Sequence, residues 1–196
     1  MAQSIVVLVV LGIVLVSAPG DAQQKEFSFP HTRSIGRATA EYIERALHVV
    51  INYDYSQRNH TGAWLLVDVA LTSSRRFVLH KKDVRLTTPD GRELNVAPQQ
   101  QIIDDSPAIT MLLQNASIFR RQLTSYFNQR GQLEAIRFQT TPPGKSTVSD
   151  ESTVDNDHVT AGAVMFKNPQ GSWQAGTYRF AVDTEAGSAA LPIRLE

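Results

Sequence analysis

The densest set of potential ligands in the chain lies between Asp150 and His158. Asp150, Glu151, Asp155 and Asp157 supply carboxylates, Asn156 an amide and His158 an imidazole. Calcium takes about six to eight oxygen ligands, and acidic loops at the ends of β-structures can provide them. The segment 149–158 is therefore the candidate for calcium or another ligand. Its spacing lacks the glycine and the terminal glutamate of a helix–loop–helix calcium site, so a solvated acidic loop competes with that reading.

Other residues with chemical potential are weaker. Arg75, Arg76, Lys81, Lys82 and Arg85 form a basic run with His80 and a single acid, Asp83. Such a run can face an anionic envelope polymer or lipid headgroups. It can equally be edge-strand charge that blocks edge-to-edge pairing. Pro143-Gly144-Lys145-Ser146-Thr147 imitates the end of a phosphate-binding loop, but Gln139 stands where the motif needs its first glycine, and no helix pattern follows. The five histidines are scattered, and no serine sits in a nucleophile-elbow context. Asn59-His60-Thr61 and Asn115-Ala116-Ser117 match the glycosylation triplet, a three-residue pattern that is read here as chance. Trp64 and Trp173 read as core or corner residues rather than a carbohydrate platform. Asp104 and Asp105 read as acids placed before a helix, where its dipole favours them. The sequence assigns no catalytic, cofactor-binding or metal residue, and no cofactor.

The address is more legible than the chemistry. Ile5 to Val16 is an unbroken apolar run, followed by small residues through Ala22. Gly20 and Ala22 precede a processing point that would leave Gln23 as the N-terminus, the layout of a secretory signal peptide. No Lys or Arg precedes the run. The run is shorter than the roughly 20 residues a membrane span needs, so no span is expected after cleavage. Removing 22 of the 196 residues leaves 174, enough for one domain with a real core. Asp21 leaves with the signal segment, so 19 basic residues face 18 acids. That balance argues against nucleic acid as a partner. The chain has no cysteine, which excludes thiolate metals, a cysteine nucleophile and a lipoprotein anchor. An exported chain without cysteine fits a bacterial periplasm or cell surface.

The elements that must position these residues are mostly strands. Residues 23–37 read as an irregular lead-in, and 38–196 as the domain. Ala38 to Ala46 fits either a short helix or a strand. From Leu47 the period is two, with Val49, Ile51, Tyr53 and Tyr55 on one face. Ser56 to Gly62 reads as a loop. Ala63 to Leu71 is apolar except for Asp68, as in a central strand covered on both faces. Short strands follow at Phe77 to Leu79, Val84 to Thr88 and Glu93 to Ala97, the last two joined by the turn Pro89-Asp90-Gly91-Arg92. Ser106-Pro107 then starts a helical stretch at 107–127, with Ser106 as its cap. Its apolar face runs through Ile109, Leu112, Leu113, Ala116, Phe119, Leu123, Tyr126 and Phe127, with a break near Asn115–Ser117 and a stop at 128–131. Strands are expected again at Leu133 to Thr140, Val159 to Phe166, Thr177 to Val182 and Ala189 to Leu195, and a long loop at 141–157.

Gly171-Ser172-Trp173-Gln174-Ala175-Gly176-Thr177-Tyr178-Arg179-Phe180-Ala181-Val182 resembles the ending of exported immunoglobulin-like domains. The stretches Trp64 to Thr72 and Val84 to Gly91 are similar to core hairpins of bacterial members of that class whose function is unknown. The resemblance implies an immunoglobulin-like β-sandwich with one inserted helical stretch. It implies that Tyr178 is a tyrosine corner, its hydroxyl bonded to backbone. Phe180 stands where antibody domains carry a cysteine. The resemblance implies no activity.

These readings converge on a non-enzymatic exported envelope domain, a binding or structural module for an unidentified envelope protein or polymer. The alternative is a calcium- or ligand-binding sandwich using 149–158. On the export reading, envelope-purified protein begins at Gln23. An intact mass that retains residues 1–22 would replace export and release with an uncleaved anchor.

Overall fold

A computed structural model describes residues 26–119, 122–127, 133–140 and 147–196. The proposed signal segment, the helix stop at 128–131 and residues 143–146 of the phosphate-loop look-alike lie outside the described residues.

The chain is mainly β. Twelve strands are described: β1 (Thr32–Ile35), β2 (Thr39–Glu44), β3 (Leu47–Asn52), β4 (Trp64–Ser73), β5 (Phe77–His80), β6 (Val84–Thr87), β7 (Glu93–Asn95), β8 (Leu133–Ala135), β9 (Glu151–Val154), β10 (Val159–Lys167), β11 (Gly176–Thr184) and β12 (Gly187–Leu195). The helices are α1 (Asp54–Arg58), α2 (Gln99–Asp104) and α3 (Ser106–Ala116), with 3₁₀ turns at Lys81–Asp83 and Leu123–Tyr126. One sheet runs β1-β2-β3-β4-β10-β8, a second runs β12-β11-β6-β7, and β5 pairs with β9 alone. Every pairing is antiparallel except that of β8 with β10.

Alternation explains the layers. The odd-numbered residues of β4, from Leu65 to Leu71, enter the central core with Val49 and Ile51 of β3. Phe180 and Val182 of β11 and Leu191 and Ile193 of β12 enter the same core from the second sheet. The even-numbered side of β4 is covered too. Trp64 and Leu66 pack with Ile102, Ile109 and Leu112 of the helices, and Ala70 packs with Leu123 and Phe127. This is why Ala63 to Leu71 reads as nearly continuous apolar sequence.

The helical stretch departs from a single element. Helix α3 ends at Ala116, within the expected break, and its Ile109, Leu112 and Ala116 pack apart from Leu123 and Phe127. One periodic face thus serves two separate patches of the same sheet. Ser106 is the first residue of α3 rather than its cap. Asp105 holds the cap position, with no side-chain cap bond.

Four other expectations change. The lead-in 23–37 contains β1, which pairs with β2 from Thr32 opposite Tyr42 to Ile35 opposite Thr39. Ala38 to Ala46 resolves as β2, and the expected loop at 56–62 begins inside α1. The long loop at 141–157 contains β9, where Ser152 and Val154 turn inward and Glu151 outward. The strand at Leu133 to Thr140 stops at Ala135, although Ile136 and Phe138 still enter the core. Beyond it a side chain replaces strand pairing. Gln139 accepts from Met165 N–H at 2.8 Å and donates to Met165 and Ala97 carbonyls at 3.1 and 2.7 Å. Gly162 makes the close approach possible, since a Cβ there would lie 2.7 Å from the Ile136 Cβ.

The C-terminal strands carry the aromatic cluster. Tyr178 Oη donates to the Gln174 carbonyl at 2.8 Å, and its ring meets Trp173 edge-on with centroids 5.7 Å apart. Phe180 meets Phe166 of the opposite sheet at 6.2 Å and 90°. Phe180→Ala and Trp173→Ala should each cost about 3–5 kcal/mol, the range for a buried aromatic. Tyr178→Phe should cost roughly 1 kcal/mol, one net hydrogen bond. Urea unfolding checks the order. A wild-type midpoint for Phe180→Ala would remove the inter-sheet role given to that ring.

Candidate functional site

The two charged segments singled out in the sequence meet in the fold. β5 lies within the basic run and β9 within the acidic segment, and their pairing sets His80 opposite Glu151. His80 Nδ1 lies 3.4 Å from Glu151 and Lys81 Nζ 3.7 Å from Asp150. The Lys81 N–H donates to the Asp150 carbonyl at 2.8 Å. With Lys82, Asn95 and Val96, these residues line a polar cleft of about 560 Å³. Arg85 turns away to Asp183 and Glu93. Two contacts thus join the segments, His80 with Glu151 and Lys81 with Asp150.

The rest of the acidic segment is occupied locally. Asp155 Oδ1 accepts from the backbone N–H of Asp157 and of His158, both at 3.0 Å, and lies 3.0 Å from His158 Nδ1. Burial raises the Asp155 pKa, but these hydrogen bonds outweigh it and hold it below the usual carboxylate range. Asp150 precedes β9, Glu151 belongs to it and Asp155 to His158 follow it, so the strand separates the six candidate ligands. Among the described residues no three His, Asp or Glu side chains converge as a metal cage.

A second constellation escaped the sequence reading. Glu41 is only 2 % exposed, yet its carboxylate accepts from Arg33 Nε and lies 2.9 Å from His48 Nε2. The antiparallel pairing of β2 with β3 puts Glu41 opposite Val50, so His48 is its diagonal neighbour on the same face. The imidazole stacks on Phe127, centroids 4.3 Å apart, and so ties the 3₁₀ turn at Leu123–Tyr126 to the sheet. A His–carboxylate pair is also half of a nucleophile-activating triad. Thr72 is the cross-strand partner of His48, and no hydrogen bond joins the two among the described residues. Burial raises the Glu41 pKa, and the bonds from Arg33 and His48 more than reverse that.

A groove of about 520 Å³ lies between α3 and the residues after α1. Tyr55, Trp64 and Leu112 supply its apolar wall, and Asn59, Thr61 and Asn115 its hydrogen-bonding rim. The one acid in its lining is neutralised. Asp105 accepts from Trp64 Nε1 at 2.9 Å and from Lys167 Nζ at 2.8 Å. The Lys167 bond is the main reason the Asp105 pKa is lowered. Trp64 is thus a wall residue of the core, held by the acid expected to serve the helix dipole. No sequence pattern links Trp64 to Asp105, because 41 residues and the whole of the second sheet's first hairpin separate them.

Comparisons with models of protein families, with curated proteins and with solved structures find no match.

The Glu41 pair has a pH consequence. A carboxyl whose folded pKa is below its unfolded value, near 4.5, contributes stability above that value. The contribution is lost as pH falls through the folded pKa. Glu41→Gln should lower the urea midpoint at pH 7 and flatten its decline between pH 5 and 3. Parallel wild-type and variant curves across that range would show that the pair contributes no linkage.

Proposed function

We propose that this chain is a non-enzymatic domain exported to the bacterial envelope, with an immunoglobulin-like β-sandwich acting as a binding or structural module. The carrying observation is the groove beside α3. It is concave and partly apolar, with amides and a hydroxyl at its rim and its one acid, Asp105, paired to Lys167, a composition that suits a binding surface. Its occupant would be an envelope protein or polymer. The sandwich reading draws on the Tyr178 hydroxyl bond, the Phe166–Phe180 contact and the core shared by two sheets. Export draws on the apolar run at Ile5 to Val16 and the absence of cysteine. Among the described residues no helix is long and apolar enough to cross a membrane.

A calcium- or ligand-binding domain is the second reading. It draws on the polar cleft, where Asp150 and Glu151 keep most of their surface exposed. The internal partners of Glu151 and Asp155 weigh against it.

Affinity capture after cross-linking in the bacterial envelope tests the first reading. An envelope component identified by mass should be retained by the wild-type chain and lost with Ala108→Arg, which fills the groove from its exposed lip. Retention unaffected by Ala108→Arg, or no retention, would overturn the groove as the site. A calcium-dependent melting shift of several degrees, abolished by Asp155→Asn, would put the second reading first.

A further inference from the structure

The polar cleft beside the β5–β9 pair carries both signs of charge at close range. His80, Lys81 and Lys82 line it together with Asp150 and Glu151. Its internal contacts are loose. Lys81 Nζ lies 3.7 Å from Asp150 and donates to the Phe138 carbonyl at 3.4 Å, and His80 Nδ1 lies 3.4 Å from Glu151. A full N–H···O bond is about 2.7–3.2 Å long. The side chains of Asp150 and Glu151 remain 76 % and 64 % exposed. Lys82 and Asn95 make no side-chain hydrogen bond or ion pair among the described residues. The backbone nevertheless holds the opposite charges in register. The Lys81 N–H donates to the Asp150 carbonyl at 2.8 Å, one step beyond the pairing of His80 with Glu151. The neighbouring charges are engaged elsewhere, Asp83 with the His80 N–H and Arg85 with Asp183.

We propose that this cleft binds a free α-amino acid through both of its charges. The site takes up the cleft of the second reading and exchanges the cation for a ligand of both signs. It shares no lining residue with the groove beside α3. A cation alone would meet the ammonium groups of Lys81 and Lys82, and an anion alone the carboxylates of Asp150 and Glu151. A zwitterion meets neither penalty. An α-amino acid carries ammonium and carboxylate on one carbon, its nitrogen about 2.5 Å from the carboxyl carbon. The cleft sets its own opposite charges on a similar scale, 3.4 and 3.7 Å apart. The ligand's ammonium can face Asp150 and Glu151 while its carboxylate faces Lys81 and Lys82, so every charge keeps an opposite neighbour. Val96 and Asn95 remain for apolar and hydrogen-bonding contact with the ligand's side chain. The volume, about 560 Å³, suits a small molecule. A peptide fits less well, because each added residue moves its charged termini about 3.3–3.6 Å further apart in an extended chain.

The charges of the cleft are mostly exposed, and exposed ion pairs contribute little each. The affinity is therefore weak, with a Kd of the order of 1 mM.

Titration of the ¹⁵N-labelled protein with L-leucine, from about 0.1 to about 30 mM at low salt, should give saturable shifts of the His80, Lys81, Lys82 and Glu151 amides. Two analogues keep the leucine side chain and one charge each. 3-Methylbutylamine lacks the carboxylate and 4-methylpentanoate lacks the ammonium, and each should bind at least about fivefold more weakly. Asp150→Asn and Lys82→Gln should each weaken leucine binding about threefold. Both side chains are exposed, so unchanged urea midpoints exclude misfolding. Ala108→Arg, in the groove beside α3, should leave leucine binding unchanged, so the groove and the cleft stand or fall separately. No saturable shift with leucine, or an analogue of one charge that binds as tightly, would overturn the proposal. Calcium chloride alone saturating these amides while leucine does not would return the cleft to a cation. Inorganic phosphate alone doing so would make it an anion site.

Discussion

The edge-on contact between Phe166 and Phe180 joins the two larger sheets inside the core they share. Both rings are fully buried, one on β10 and one on β11. Without cysteine, no covalent link can set the distance between the sheets. An aromatic pair fixes that distance by volume and by the preference of ring edges for ring faces. It is a softer restraint than a disulfide, because it limits the folded state and leaves the unfolded chain unconstrained. The neighbouring Trp173–Tyr178 pair and the Tyr178 hydrogen bond then fix the entry angle of β11. Sheet spacing and strand direction are thereby both served by the stretch Phe166 to Phe180.

Once the sheets are spaced, β4 has one face committed to the central core and must still cover the other. The helical insertion answers that requirement. α2 and α3 cover the Trp64 end of the strand, and the turn at Leu123–Tyr126 covers the Ala70 end. The two coverings are anchored by different polar devices. Asp105 binds Trp64 and Lys167 at one end, while the Glu41–His48 pair holds Phe127 at the other. Each device is a carboxylate supplied with two partners, which offsets its loss of solvation.

What the sequence made legible follows from what repeats locally. β3, β4, β10, β11 and β12 alternate or run apolar for long enough to show a period, and all five appear close to where the pattern puts them. The break of the helical stretch was readable because Asn115 and Ser117 weaken a helix that Met111 and Leu112 favour. β9 was not readable. Its four residues, Glu151 to Val154, are mostly polar, and they form a strand because Phe77–His80 offers an edge beside them. β1 was hidden for the same reason. The end of β8 was hidden because Gln139 does the work of backbone, and no pattern marks a side chain that will act as a strand. At the site, the basic run and the acidic segment were each visible, but not their meeting, since some 70 residues separate His80 from Glu151.

That meeting alters what the surface can do. Taken separately, a basic run invites a polyanion and an acidic loop invites a cation. Set side by side on and beside paired strands, His80 and Lys81 lower the field of Glu151 and Asp150 while both carboxylates stay largely exposed. The groove beside α3 reaches neutrality by another route. Its acid is matched inside the wall by Lys167, and its rim carries amides and a hydroxyl in place of charge. An occupant there displaces water from apolar surface and breaks no ion pair. On the proposed binding reading, the α3 side offers apolar contact beside a paired acid, while the β5–β9 side offers exposed charge.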